Sequence, residues 1–260
     1  IPYAVLAEAY NKVSPEVEKA GHYIGCIPTA NDWYVGDPRK VGFTEHAKTI
    51  PVMIGSVFGE FDFTPAIPGR KELSEEIVLE MLEKKYKGHT SKLVSQFREA
   101  YPARPLIDLL SVDPFFRIAS RDFIEKSVQE RQAPTYSYLF NLDFPLEDGK
   151  AAWHCSEIPF IFHNTDRTAL YNIPGVSDRM EEQICSAWVS FARWGSPSAV
   201  CLPKWPACEP GKEYTMIFDR ECEVRVNHDA ALMETLKETD PKLPFLPAAE
   251  GEEDEGFFLH

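Results

Sequence analysis

The run Thr49-Ile-Pro-Val-Met-Ile-Gly-Ser56 is apolar without alternation. Successive strand residues point to opposite faces, so a strand with one wet face alternates apolar and polar residues. An unbroken apolar run suits a strand covered on both faces, here opening at Gly55 into a loop. Such a strand needs helical layers around it, and the chain provides them. Residues 72–86 place acids in the first turn and Lys84, Lys85 and Lys87 at the end before Gly88, the charge order that complements a helix dipole. Further helices are predicted at 2–12, 91–100, 106–118, 120–132 and 176–194, with a short one near 229–237. Thr135–Phe140 reads as a strand, and 214–218 with 223–226 as a hairpin. Few strands among many helices point to an α/β layer fold. The strands are too few for a large self-contained sheet, so part of the domain is expected to lie outside these 260 residues.

Charge and cysteine usage narrow the function classes. The 41 acidic residues outnumber the 27 basic ones, a net charge of −14. An acidic surface repels phosphate backbones, so no nucleic-acid partner is expected. Part of the excess sits in the tail 245–260, around Glu250–Glu255, which reads as solvated. No apolar run approaches the ~20 residues that cross a bilayer, and the first residues do not read as a signal peptide. The six cysteines (26, 155, 185, 201, 208 and 222) form no Cys-x-x-Cys pair and have no histidine at zinc-finger spacing. No metal or cofactor is expected. The cysteines read as mostly free thiols of a reducing compartment, which favours a cytoplasmic over a secreted location.

Two local contexts carry chemistry. In Gly55-Ser-Val-Phe-Gly-Glu60 a strand ends in a glycine-flanked loop bearing an acid, and catalytic acids of parallel sheets sit at the carboxyl ends of strands. In Trp153-His154-Cys-Ser-Glu157-Ile-Pro-Phe-Ile-Phe162 a loop presents an imidazole ahead of an apolar stretch with helical potential. Taken singly, Glu60 reads as a solvated loop acid and His154 as an ordinary histidine. Together they resemble the type-B carboxylesterase (carboxylesterase/lipase, cholinesterase-like) family. There, an apolar-Gly-x-x-x-x-Glu strand end carries the triad acid and His-x-x-Glu-Ile/Leu-x-Phe/Tyr-x-Phe carries the base. Ala187–Pro197, Lys204-Trp-Pro206 and Tyr214–Asp219 resemble the family's later motifs in the same order. The match runs over roughly residues 20–228.

The resemblance implies an α/β fold that is the C-terminal half of an α/β-hydrolase, with a mostly parallel central sheet flanked by helices. Residues 1–260 would then be the C-terminal portion of one such domain. It implies a Ser-His-Glu triad in which Glu60 and His154 are catalytic and the substrate is a small-molecule carboxylic ester. Two departures stand out. Phe61 occupies the place after the acid where the family usually has Gly, and no Gly-x-Ser-x-Gly elbow or Gly-rich oxyanion loop occurs in the 260 residues. The serine and the oxyanion hole are therefore expected from a complementary N-terminal chain or segment, with this chain inert alone. Glu157 is expected to anchor the His154 loop or simply to begin a helix. Phe58, Phe61 and Trp153 are expected to line an apolar pocket or to pack in the core. Two rivals remain: a non-catalytic cholinesterase-like binding or adhesion domain, and a cysteine hydrolase using Cys26 or Cys155.

Overall fold

The computed structural model describes residues 1–20, 28, 30–61 and 69–239. The acidic tail and Cys26 lie outside the described residues. The described residues fall into two compact units, one within residues 1–41 and the other within residues 42–239. In the first, helix α1 spans Tyr3–Lys19 and the short α2 spans Pro38–Val41. The sequence suggests a helix only to residue 12, yet α1 runs on through Pro15. A proline in a helix removes one hydrogen bond, and the neighbouring residues here propagate the helix past it.

The second unit is built on a four-stranded sheet. In chain order it contains β1 (Val52–Val57), α3 (Glu75–Tyr86), α4 (Thr90–Ala100), α5 (Phe115–Glu130), β2 (Thr135–Phe140), α6 (Ile158–Ile161), α7 (Ser177–Trp194), β3 (Tyr214–Phe218), β4 (Glu223–Val226) and α8 (Ala230–Glu238). The strand order is β1-β2-β3-β4. β1, β2 and β3 are parallel, and β4 returns antiparallel as the predicted hairpin. Alternation along β2 sends its residues to two helical layers. Tyr136 and Tyr138 meet Phe191 and Trp188 of α7, at 6.2 and 5.0 Å between ring centroids. Thr135 bonds Ser127 of α5 on the opposite face, and Ser137 bonds Glu213, which in turn pairs with Arg117 of α5. The mostly parallel sheet with helices on both faces is the architecture expected from the sequence.

The helix ends follow their local chemistry. Ser74 caps α3 by accepting the Ile77 N–H, Glu75 and Glu76 fill the first turn, and Lys84 and Lys85 fill the last. One boundary differs from expectation. In place of helices at 106–118 and 120–132 there is a 3-10 turn at Leu106–Leu110 and one helix, α5. Pro114 has no N–H to continue a helix from the preceding segment, so helical geometry restarts after it. The Asp113 carboxylate then accepts the N–H groups of Phe115, Phe116 and Arg117, and nothing at 119–120 breaks the helix.

Gly55 has a steric requirement. It pairs with Tyr138 across β1 and β2, and a Cβ added there would lie 2.4 Å from the Tyr138 ring and from its carbonyl oxygen. Gly55→Ala should therefore cost about 1–3 kcal/mol through overpacking, read as a lower urea midpoint at unchanged m-value. A midpoint equal to that of the parent chain would show that the strands can part without cost.

His228 makes the fold sensitive to acid. Burial pushes its pKa down to about 4, outweighing the adjacent Asp229 charge, and its Nε2 is buried with no hydrogen-bond partner. The unfolded chain binds the proton first, near pH 6.5, so the stability His228 allows is fully present above that pH. It is lost as pH falls from about 6.5 toward 4, by roughly 3 kcal/mol. His228→Gln should flatten that stretch of the stability–pH curve, and a slope identical to that of the parent chain would contradict the assignment.

Candidate active site

β1 delivers the chain into a turn at residues 58–61, and four main-chain bonds fix that turn. Phe58 N–H donates to Phe140 O (3.0 Å), extending the β1–β2 ladder by one step, and Gly59 N–H donates to Ala152 O (2.9 Å). Asp113 N–H donates to Phe58 O (2.9 Å), and His154 N–H donates to Glu60 O (2.7 Å). The loop that follows β2 is thereby stitched to the loop that follows β1, and two residues far apart in sequence are locked side by side.

Their side chains complete the link. Glu60 is 8% exposed. Its Oε1 accepts the Val57 N–H at 2.9 Å, and its Oε2 lies 2.6 Å from His154 Nδ1. A carboxylate can only accept, so Nδ1 carries the proton and Nε2 is left as the basic nitrogen of the neutral ring. The His154 side chain is 49% exposed while its partner is buried, so the imidazole is held from behind and open in front. A base oriented by a buried acid in this way can take a proton from a hydroxyl and return it to a leaving group.

The surroundings sort the other residues singled out from the sequence. Phe61 packs on the imidazole, with ring centroids 4.5 Å apart, and Phe116 of α5 lies 6.2 Å from it. Phe61 and Phe116 also touch each other. Phe58, 2% exposed, joins the core instead, packed edge-on against Tyr101 with the Arg104 guanidinium 3.9 Å over its ring. Trp153 stacks with Phe144 and Tyr171. Glu157 begins α6, where its carbonyl accepts from Phe160 and Ile161 N–H. Its carboxylate Oε2 is buried without a hydrogen-bond partner, and burial, followed by the Glu60 charge, raises its pKa. Cys155 sits beside His154 in left-handed backbone (φ 67°), and its thiol pKa is raised by burial and then by Glu157 and Glu60. That is the opposite of thiolate activation. The other described cysteines, Cys185, Cys201, Cys208 and Cys222, are free thiols too.

Phe116 is the neighbour that sequence reasoning missed as a site residue. Pro114 starts α5, which puts Phe116 in the first turn. His163 pairs with buried Glu181 (Nδ1–Oε1 3.3 Å), whose other oxygen accepts from Thr165. A cavity of about 450 Å3 lies against α7, lined by His163, Cys185 and Trp194 among others, and takes in neither Glu60 nor His154. Among the described residues no group of three His, Cys, Asp or Glu could hold a metal, and no helix is long and apolar enough to cross a membrane.

Comparison with known proteins bears on this geometry. The carboxylesterase family model matches residues 2–235. The solved structure of an esterase from anaerobic Clostridium hathewayi, described as able to hydrolyze aliphatic aromatic polyesters, superposes with a TM-score of 0.86 at 46% identity. That match covers 92% of this chain and 48% of that one. A thermophilic PNB esterase, 24% identical, shares the fold with a TM-score of 0.62 over 91% of this chain and 48% of its own. The para-nitrobenzyl esterase of Bacillus subtilis (strain 168) is 29% identical over 196 residues, which is 71% of this chain and 37% of that protein. The chain thus spans about half the length of its solved relatives and less of the curated one. Its fold is that of the α/β-hydrolase esterases.

Proposed function

Because the chain belongs to the carboxylesterase family, we propose that it is the acid–base half of a serine carboxylesterase, contributing Glu60 and His154 to a Ser-His-Glu triad. The observation that carries this is the 2.6 Å contact between buried Glu60 Oε2 and half-exposed His154 Nδ1. In this reading residues 1–260 are the C-terminal portion of one α/β-hydrolase domain. The serine and the oxyanion donors come from an upstream segment or a second chain, and this chain alone turns over no ester.

His154 Nε2 takes the serine proton as the hydroxyl attacks the ester carbonyl, then delivers it to the departing alcohol. A water molecule repeats the cycle on the acyl-enzyme. Glu60 holds the tautomer and stabilises the imidazolium. The oxyanion donors supply about 3 kcal/mol each from the complementary side. Glu157 positions the His154 loop through the start of α6. Phe61, with Phe116 behind it, forms an apolar flank suited to hydrophobic or aromatic esters. The names of the relatives, a polyester-hydrolysing esterase and a para-nitrobenzyl esterase, support that substrate class. Trp153, assigned to the same pocket, precedes His154 and packs on Phe144 and Tyr171.

A fluorophosphonate probe tests the reading. Applied to the enzyme assembled with its complementary segment, it should label a serine outside these 260 residues, with loss of p-nitrophenyl ester turnover. Labelling of Cys155, or loss of activity with iodoacetamide alone, would support a cysteine hydrolase instead. No turnover of any short-chain p-nitrophenyl ester would favour a binding or adhesion domain.

A further inference from the structure

We propose that Phe61 is a positioning residue of the acid–base pair: its ring, backed by Phe116, holds the plane of the His154 imidazole so that Nε2 faces the serine. This rests on the esterase reading above, and it gives Phe61 a role beyond that of a pocket wall.

The bond to Glu60 fixes one point of the imidazole but not its plane. Nδ1 lies 2.6 Å from Glu60 Oε2, and among the described residues no other hydrogen bond reaches the ring. The His154 side chain is 49% exposed, so much of its surface has no packing to steady it. A ring held at one atom can swing about that contact and carry Nε2 aside. Misplacing a reacting group by about 1 Å can cost on the order of a hundredfold in rate.

Two aromatic rings supply the missing restraint. The Phe61 centroid lies 4.5 Å from that of the imidazole, with 30° between the planes. Phe116 stands 6.2 Å away at the same 30° tilt, and 5.3 Å from Phe61. These are the separations of offset-stacked rings. A swing of the imidazole about its Nδ1 contact would either press its face into Phe61 or open a gap against it.

The main chain holds this cluster together. His154 N–H donates to Glu60 O at 2.7 Å, which places the imidazole beside the residue that follows Glu60. Asp113 N–H donates to Phe58 O at 2.9 Å, and the Asp113 carboxylate accepts Phe116 N–H at 2.8 Å. One residue thereby ties the turn that leads to Phe61 to the first turn of α5, which carries Phe116. Phe61 is also where the sequence departs from the pattern around the triad acid.

The stack acts more strongly as the reaction proceeds. The face of a phenyl ring is electron-rich, and the imidazole becomes a cation when Nε2 takes the serine proton. The attraction therefore grows toward the transition state, the kind of interaction that raises kcat. A pocket wall behaves otherwise: it holds the substrate equally before and during reaction, and its loss appears in KM.

Phe61→Leu separates the two roles, because leucine keeps apolar bulk and removes the flat face. In the enzyme assembled with its complementary segment, kcat for a short-chain p-nitrophenyl ester should fall about tenfold, with KM within about twofold of the parent value. Phe61→Tyr, which restores an aromatic face, should stay within about threefold of the parent kcat. The free 260-residue chain gives a readout independent of turnover. The imidazole C–H protons of His154, assigned by their loss in His154→Ala, should lie upfield in proton NMR through the Phe61 ring current. That displacement should vanish in Phe61→Leu and persist in Phe61→Tyr, with the urea midpoint of each variant close to that of the parent chain.

A raised KM at unchanged kcat in Phe61→Leu would reduce Phe61 to a pocket wall and overturn the proposal. So would unchanged kinetics, a Phe61→Tyr enzyme as slow as Phe61→Leu, or His154 resonances that do not move between parent and Phe61→Leu. An active parent enzyme with any of these results sinks the proposal alone. A parent assembly that turns over no ester sinks the esterase reading, and the proposal with it.

Discussion

Replacing His154 with alanine should lower kcat/KM of the assembled enzyme for a p-nitrophenyl ester by roughly a hundred thousand- to a million-fold, and Glu60→Gln by about ten thousand-fold. The difference follows from the geometry. Without the imidazole no group takes the serine proton, and only binding and the oxyanion donors are left to act. With glutamine at 60 the imidazole stays, but the residue facing Nδ1 has changed character. A carboxylate has two accepting oxygens, one for Val57 N–H at 2.9 Å and one for His154 Nδ1 at 2.6 Å. Glutamine has a single accepting oxygen. If Val57 keeps it, the amide NH2 points at Nδ1 and drives the proton to Nε2, which leaves the ring in the tautomer that cannot act as the base. The test is kcat/KM alongside the urea midpoint of each variant, so that loss of chemistry is separated from loss of fold. A fall of less than about tenfold for Glu60→Gln at unchanged midpoint would mean that Glu60 is not the orienting acid. A fully active His154→Ala would remove the triad reading altogether.

Glu60 and His154 could be found in the sequence because each sits in a run whose neighbours are constrained for separate reasons. Gly55 is glycine because Tyr138 leaves no space for a Cβ, and the apolar residues before it form the strand. Pro159 and the apolar residues after His154 form α6, with Phe160 fully buried. Such contexts leave a pattern, whereas contacts between distant elements leave little. Phe58 and Phe61 look alike on paper, three residues apart in one loop. Phe58 still belongs to the β1–β2 ladder through its N–H and turns into the core, while Phe61 lies past the stitched turn and reaches the imidazole. Nothing in the composition of the segment separates those two environments.

The two-helix reading of 106–132 failed for a related reason. Periodicity registered the apolar residues of the 3-10 turn and of α5 alike, and the weight of Pro114 emerges only with the Asp113 cap seen in three dimensions. The sheet was legible as a layer but not in its extent. The unbroken apolar run at 49–56 signalled an interior strand, and the described fold places β1 at an edge. That conflict between composition and position is the physical content of the expectation that part of the domain lies outside the 260 residues.

Asp229→Ala should destabilise the second unit by about 3–5 kcal/mol, the largest loss expected from any single substitution away from the chemistry. Arg117 is 2% exposed on α5, and its guanidinium is divided between two carboxylates from the far end of the chain. Nε and Nη2 donate to Asp229 at 3.0 and 2.8 Å, and Nη1 donates to Glu213 at 2.7 Å. Tyr101 OH donates to Asp229 at 3.1 Å, and Ser137 and Thr215 hydroxyls donate to Glu213. Arg121 Nη1 donates to the other Glu213 oxygen, so each of the four buried carboxylate oxygens has a donor, the condition under which a buried ion cluster is tolerated. Burial alone would raise the Asp229 carboxyl, but the Arg117 charge and hydrogen bonds outweigh it and hold the group well below the usual carboxylate range. The sign follows: the contribution of Asp229 is complete above pH ~4, where the unfolded carboxyl is already ionised. It fades only as pH falls below that toward the depressed folded value. Removing Asp229 leaves a guanidinium and a phenol buried with half their partners gone. Asp229→Asn, which keeps the shape but not the charge, should recover only part of the loss. Urea unfolding at pH 7 measures both. A cost below about 1 kcal/mol for Asp229→Ala would mean that water reaches Arg117, and the cluster would then be a surface feature and not the clasp between α5 and the β3–β4 hairpin with the turn that follows it.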